Sequence, residues 1–336
     1  MKEILSKLVD GNNLTKEETM HAQELILTGQ VTPAQIACFL TALRMKGETL
    51  DEITGLASVL RDKAQTIAPK VDNYVDFVGT GGDCTYSFNI STTSAFVVAA
   101  AGVPVAKHGN RSISSKSGAG DVLEALGVNI SADPQIVEKC VEEAGIGFMF
   151  APHFNPAMKY VGLVRKEMGI RTVFNILGPL SNPSRAKAMI VGVYSPKLTE
   201  VIAGTMMNLG VERGFVVSGC DNMDEFTLTG PSTVSEIKDG KVTTYEVFPE
   251  QFGLSRCKIE ELQGGDGTVN AQITKDILSG KEQGEKREIV LLNAGAALYI
   301  GGKADSIQGG ITLAAQTIDS GKATEVLAEL VKLTNA

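Results

Sequence analysis

The sequence predicts a small all-helical N-terminal region joined to a large α/β region with a central, largely parallel sheet flanked by helices. Three observations predict it. The first ~65 residues carry successive helix-start signatures and no strand pattern. From about residue 74, short apolar runs alternate with helical patterns, as in a parallel sheet with crossover helices. From ~268 to 334 the pattern is helical again.

Each element has a local cause. LTKEETMHAQELILTG (14–29) opens with a capping box, Thr15 with Glu18, and stops at Gly29. TPAQIACFLTALRMKG (32–47) has Thr32 as N-cap, Pro33 at the first helical position and Gly47 as a stop. TLDEITGLASVLRDKA (49–64) begins with another box, Thr49 with Glu52. This module is expected to serve as scaffold or oligomer contact rather than carry chemistry. The expected strands are YVDFV (74–78), VPVAK (103–107), GFMF (147–150), AMIVGVY (188–194) and GFVVS (214–218). Helical patterns lie around 92–101, 119–126, 134–144 and 197–209. Residues 232–249 read as a hairpin turning at Asp239-Gly240.

A net charge of −8 argues against a general nucleic-acid binder, which carries a basic face. Cys38, Cys84, Cys140, Cys220 and Cys257 are odd in number and lack C-x-x-C spacing, so neither a disulfide framework nor a zinc site follows. Charges interrupt the apolar pattern of the first residues, and the longest apolar run (95–106) is too short to span a bilayer. A cytoplasmic protein without membrane contact is expected.

Ligands of open α/β sheets bind beyond the carboxyl ends of the strands. Two glycine-rich runs are expected there. GTGGD (79–83) fits neither standard phosphate loop: Cys84 stands where G-x-G-x-x-G needs its third glycine, and G-x-x-x-x-G-K-[ST] is absent. Alone it is as consistent with a tight structural turn as with a phosphate cradle. The second run, KHGNRSISSKSG (107–118), places Lys107, His108, Arg111 and Lys116 within ten residues, which favours a phosphate-bearing ligand. Asn89, Ser91 and Thr92 open the following helix at its positive end. Asp224 and Glu225, after a strand, are either Mg²⁺ ligands or a solvated acidic turn. Of His21, His108 and His153, only His108 lies in a candidate site; no nucleophile–His–acid triad emerges, so covalent catalysis is disfavoured.

GTGGD, NIST, KHGNRSISSKSG, DVLEALG, VRKEMGIRTVFNILGPLSNP and MDEF resemble, in order and spacing, the anthranilate phosphoribosyltransferase family across essentially the whole chain. The resemblance implies transfer of a phosphoribosyl group from phosphoribosyl diphosphate (PRPP) to anthranilate, without a covalent intermediate, in tryptophan biosynthesis. It implies a helical domain (1–70, joined by helices near 165–185), an α/β domain (71–336) with GPLSNP near the hinge, and a homodimer through the helices. By position, Gly79, Gly82, Asp83, Ser87, Asn89, Ile90, Ser91, Thr92, Lys107, Ser115 and Ala119 would hold PRPP. Gly79, His108, Asn110 and Arg165 would receive anthranilate, with Arg165 at its carboxylate. Ser91, Asp224 and Glu225 would hold Mg²⁺, with two ions per site; Lys107 and His108 would assist the transfer. Cys84, Ser87 and Ala119 depart from the family's frequent glycine, threonine and serine, and Asn155 stands where the family usually has histidine. Two rival readings are weaker: pyrimidine-nucleoside phosphorylases resemble KHGNR poorly, and a non-catalytic nucleic-acid-binding relative should be basic and lack Asp224-Glu225.

Overall fold

The computed structural model describes residues 1–112 and 116–336. Four helices lead: α1 (Lys2–Val9), α2 (Lys16–Leu27), α3 (Pro33–Lys46) and α4 (Leu50–Asp62). Both expected boxes form. Thr15 Oγ1 accepts the Glu18 N–H at 3.2 Å while Glu18 returns to the Thr15 N–H at 2.8 Å, and Thr49 and Glu52 do the same. Thr32 is also boxed, by Gln35. These contacts satisfy N–H groups that a helix start otherwise leaves orphaned.

The α/β region then runs β1 (Val75–Gly79), α5 (Ile90–Ala100), β2 (Val105–Gly109), α6 (Ala119–Ala125), α7 (Pro134–Glu143), β3 (Ile146–Phe150) and the single turn α8 (Ala151–Phe154). It continues through α9 (Lys159–Met168), α10 (Phe174–Leu180), β4 (Ala188–Gly192), α11 (Thr199–Asn208) and β5 (Arg213–Gly219). The hairpin β6 (Ser232–Lys238) and β7 (Lys241–Val247) precedes α12 (Gly267–Leu278), α13 (Glu285–Ile300), α14 (Ile307–Asp319) and α15 (Lys322–Thr334). The seven strands form one sheet in the order β3-β2-β1-β4-β5-β6-β7. β1 to β5 are parallel; the hairpin adds two antiparallel strands, and its turn residue Asp239 takes a left-handed φ of 51°.

Alternate residues of β4 explain the layering. Ala188 and Ile190 face a core shared with α5, α12, α13, α14 and α15, whereas Met189 and Val191 face one shared with α1–α4, α9, α10 and α11. With both sheet faces covered, these strands read as continuous apolar runs. The second core spans the helical region and the sheet without a break. One boundary differs from the expected strand at 103–107. Pro104 has no N–H for the ladder, so β2 starts at Val105 and extends to Gly109, which places His108 in the strand rather than in the following loop. All five cysteines are free.

Candidate active site

Strand order reverses between β1 and β4, the switch point at which an open α/β sheet offers a crevice. Gly79 and Gly192 close the register there. A Cβ on Gly79 would run into the Asp224 carboxylate, and one on Gly192 into the Asp224 backbone. Both glycines thus let the loop after β5 dock on the strand ends. The Gly81 N–H donates to Asp224 Oδ2 at 2.6 Å, and the Ser91 N–H, at the start of α5, donates to Glu225 Oε1 at 3.2 Å.

The acidic pair is therefore not a solvated turn. Glu225 is 8% exposed and Asp224 is partly buried. Burial, then the neighbouring Asp83 charge, pushes the Asp224 carboxyl up to about 7. Burial and the Asp224 charge hold Glu225 well above the usual carboxylate range, against the pull of Lys107. Lys107 is buried between them and the sheet, donating to the Phe77 carbonyl and, at 3.4 Å, to Ser91 Oγ. Burial lowers its pKa, while Asp76, Glu225 and Asp224 oppose that. Three crowded carboxylates facing one buried ammonium are short of positive charge, and oxygen donors are what Mg²⁺ takes. Among the described residues no three His, Cys, Asp or Glu side chains form a closed metal cage. The donors that do meet here, the Asp224 and Glu225 carboxylates and the Ser91 hydroxyl, are all oxygens, the kind Mg²⁺ takes.

Strand alternation sends His108 to the opposite side from Lys107. It lines a cavity of about 470 Å³ with Gly79, Asn110, Met158, Arg165 and Phe174. Burial pushes its imidazole down to about 4, which the Gly178 carbonyl only partly offsets, and Asn155 Nδ2 lies 3.2 Å from its Nε2. His108 is thus neutral at pH 7. Arg165 is half-buried, its guanidinium 5.5 Å from the Phe174 ring centroid. Among the described residues no carboxylate pairs with it, so the salt-bridged surface arginine is not what the fold contains. A second cleft, about 760 Å³ beside Arg213 and Lys238, touches none of these residues.

The basic run does not form one cluster. Arg111 pairs with Glu124 at 2.6 Å, and Lys116 lies 5.7 Å from the Tyr86 ring centroid. Thr92 Oγ1 is buried in the first turn of α5 without a hydrogen-bond partner among the described residues. Ile90 starts that helix and is buried; Ser87 bridges to Gln263. Asn89 is a hub: its Oδ1 accepts from Ser117 at 3.1 Å and from Asn270 at 2.9 Å. Ala119 packs its methyl near Gly109. Ser115 lies outside the described residues.

A family model described as glycosyl transferase family, a/b domain, matches residues 71–324, and one described as its helical bundle domain matches 2–64. The chain is 55% identical over its whole length to the anthranilate phosphoribosyltransferase of Acetivibrio thermocellus, covering 97% of that protein, and 50% identical over 99% of its length to that of Desulfosudis oleivorans, covering 98% of that protein. The chain belongs to the anthranilate phosphoribosyltransferase family. The crystal structure of the Thermus thermophilus anthranilate phosphoribosyltransferase superposes with a TM-score of 0.94 at 41% identity, covering 99% of both chains. The Saccharomyces cerevisiae enzyme in complex with PRPP and Mg gives 0.91 at 28% identity, covering 99% of this chain and 97% of that one.

For a member of the anthranilate phosphoribosyltransferase family, several supporting residues were legible only in part. Asp76, a lone carboxylate inside the apolar strand YVDFV, is fully buried and accepts the His108 N–H at 3.2 Å. Its position in an apolar run was the signal. Asn270, at the start of α12, orients Asn89 but sits in QGGDGTVN, which has no periodic cue.

Proposed function

We propose that this chain transfers the 5-phosphoribosyl group of PRPP to the amine of anthranilate, giving N-(5-phosphoribosyl)anthranilate and diphosphate, as a step of tryptophan biosynthesis. The observation that carries the reading is the pairing of two unlike subsites on opposite sides of β2. One holds carboxylates, Lys107 and the N-terminus of α5; the other is the cavity with neutral His108 and with Arg165, which meets no carboxylate among the described residues. Gly79 belongs to both.

In this reading the first turn of α5, with Ser91 and Thr92, and Lys107 receive the phosphates of PRPP. Arg165 takes the anthranilate carboxylate, while His108, held by Asn155 and Gly178, orients the ring without adding charge. The bond from ribose C1 to diphosphate breaks, the amine nitrogen forms the new bond from the other face, and the acidic aryl ammonium then loses its proton. Positioning and electrostatics carry the rate, and no strong base is needed. Ser91, Asp224 and Glu225 would hold Mg²⁺, which supplies charge neutralisation for the departing diphosphate. Two ions would also need the negative charge of the diphosphate, since Asp83, Asp224 and Glu225 offer three carboxylates between them.

We place the domain boundary near residue 70, with α9 and α10 counted with α1–α4, whose core they share. Val9, Met45, Leu163 and Ile170 expose large apolar side chains on that helical side, which supports a homodimer through it. Five free thiols suit a reducing compartment such as the cytoplasm. Among the described residues no helix is long and apolar enough to cross a membrane. Loss of anthranilate fluorescence tests the reading: it is expected only with PRPP and Mg²⁺ both present. Phosphorolysis of uridine or thymidine, with anthranilate untouched, would move the chain to the nucleoside phosphorylases.

A further inference from the structure

The GTGGD loop is built from residues that resist a fixed shape. Gly81 and Gly82 take left-handed φ values of 65° and 73°, and Cys84 and Tyr86 follow at 62° and 56°. Glycines free the backbone, and the two non-glycines are strained there, so this loop needs an external anchor to stay ordered. Asp224 holds it at the Gly81 N–H, and a second side chain holds the next residue. Arg171, between α9 and α10, donates from Nη2 to the Gly82 carbonyl. Its guanidinium stacks over Tyr194, just past β4, with 4.2 Å to the ring centroid. The Arg171 carbonyl in turn accepts from Arg44 Nη1 on α3. A Cβ at Gly82 would lie 3.5 Å from the same Nη2, so loop and guanidinium are in contact. Among the described residues Arg171 has no acidic partner, and its charge is not spent on a salt bridge.

We propose that Arg171 is a positioning residue for PRPP, fixing the glycine-rich loop in its anion-receiving shape and tying it to the helical region through Arg44. The proposal rests on the reading that this loop receives PRPP. An ordered loop lets the substrate bind without first losing loop entropy, so the anchor acts on affinity for PRPP and not on anthranilate. The planar guanidinium matters as well as its charge, because only it can both stack on Tyr194 and reach the carbonyl in plane.

Steady-state kinetics of Arg171→Ala, Arg171→Lys and Tyr194→Leu, each substrate varied against a saturating second, tests this. Arg171→Ala is expected to raise the KM for PRPP roughly ten-fold, the size of one lost charge-assisted hydrogen bond, with kcat and the anthranilate KM little changed. Arg171→Lys should fall between Arg171→Ala and the unaltered chain. Tyr194→Leu should shift the same constant, and the Arg171→Ala/Tyr194→Leu pair should be no worse than Arg171→Ala alone, because both changes break one anchor. An unchanged KM for PRPP, or an equal rise in both KM values, overturns the proposal. If Arg171→Ala does not fold, Arg171→Lys and Tyr194→Leu decide by the same two criteria. Absence of turnover by the unaltered chain overturns the proposed function and this inference with it. Turnover by the unaltered chain with an unaffected Arg171→Lys overturns this inference alone.

Discussion

Arg165 shows how a residue's neighbours set its role. Val161 and Val164 hold α9 against the helical core, which leaves Arg165 half-buried over Phe174 with no carboxylate among the described residues. Arg165→Ala is expected to raise the KM for anthranilate roughly ten- to a hundred-fold with a smaller change in kcat, as one charge-assisted contact is lost. Initial rates with anthranilate varied read it out; an equal effect on PRPP would assign Arg165 a structural role. His108 makes a pH prediction. Its imidazole is held neutral in the fold, at about 4 against an ordinary 6.5. Stability from that is full above pH 6.5, where neither state binds the proton, and is lost as pH falls toward 4 because only the unfolded chain is protonated. The loss approaches roughly 3 kcal/mol at the acid end. Urea unfolding at pH 7 and 5 should show it, and His108→Gln should flatten that slope. Asp224→Asn with Glu225→Gln should cut turnover by about ten-fold or more at saturating Mg²⁺, since amides keep the size but not the charge that holds a hard cation. The metal-free variant is expected to melt close to the parent, because relief of the crowding among Asp83, Asp224 and Glu225 is offset by the lost counter-charge to buried Lys107. Parental turnover in that variant would remove these residues from the metal site.

The elements were legible where local chemistry sets them. Thr15, Thr32 and Thr49 each start a helix, and the strand runs at 74–78, 188–194 and 214–218 recur within two residues in β1, β4 and β5. Where a distant partner decides, the reading fell short. The run from Lys107 to Lys116 looked like a single basic cradle, yet strand alternation turns Lys107 and His108 apart and Glu124 claims Arg111. Asp224 and Glu225 were ambiguous for the same reason, because their burial depends on Gly79 and Gly192, far away in the chain. Glu52 carries a prediction at this scale. Beyond capping α4, its Oε1 accepts the Leu14 N–H at 2.9 Å and its Oε2 meets Lys46 at 2.9 Å, all without solvent exposure of its side chain. Glu52→Ala should destabilise the protein by about 3 kcal/mol, since it orphans two N–H groups and a nearly buried ammonium. Thermal unfolding checks it, and Glu52→Gln should lose less.

Over the whole molecule, the fold brings two unlike environments to one point. The reversal of strand order at β1 and β4 opens the crevice, the α5 side brings Ser91, Lys107 and Glu225 together, and the helical side supplies the cavity wall through Arg165 and Phe174. Sequence pattern could announce both halves but not their meeting, because the strand order that joins them is a property of the sheet. In the proposed function the two halves serve one transfer. Diphosphate released per anthranilate consumed, measured in one reaction with Mg²⁺ present, tests it most directly. Equal amounts, with no diphosphate when anthranilate is left out, are expected. Diphosphate release that continues without anthranilate, or anthranilate left unchanged with PRPP and Mg²⁺ present, would contradict it.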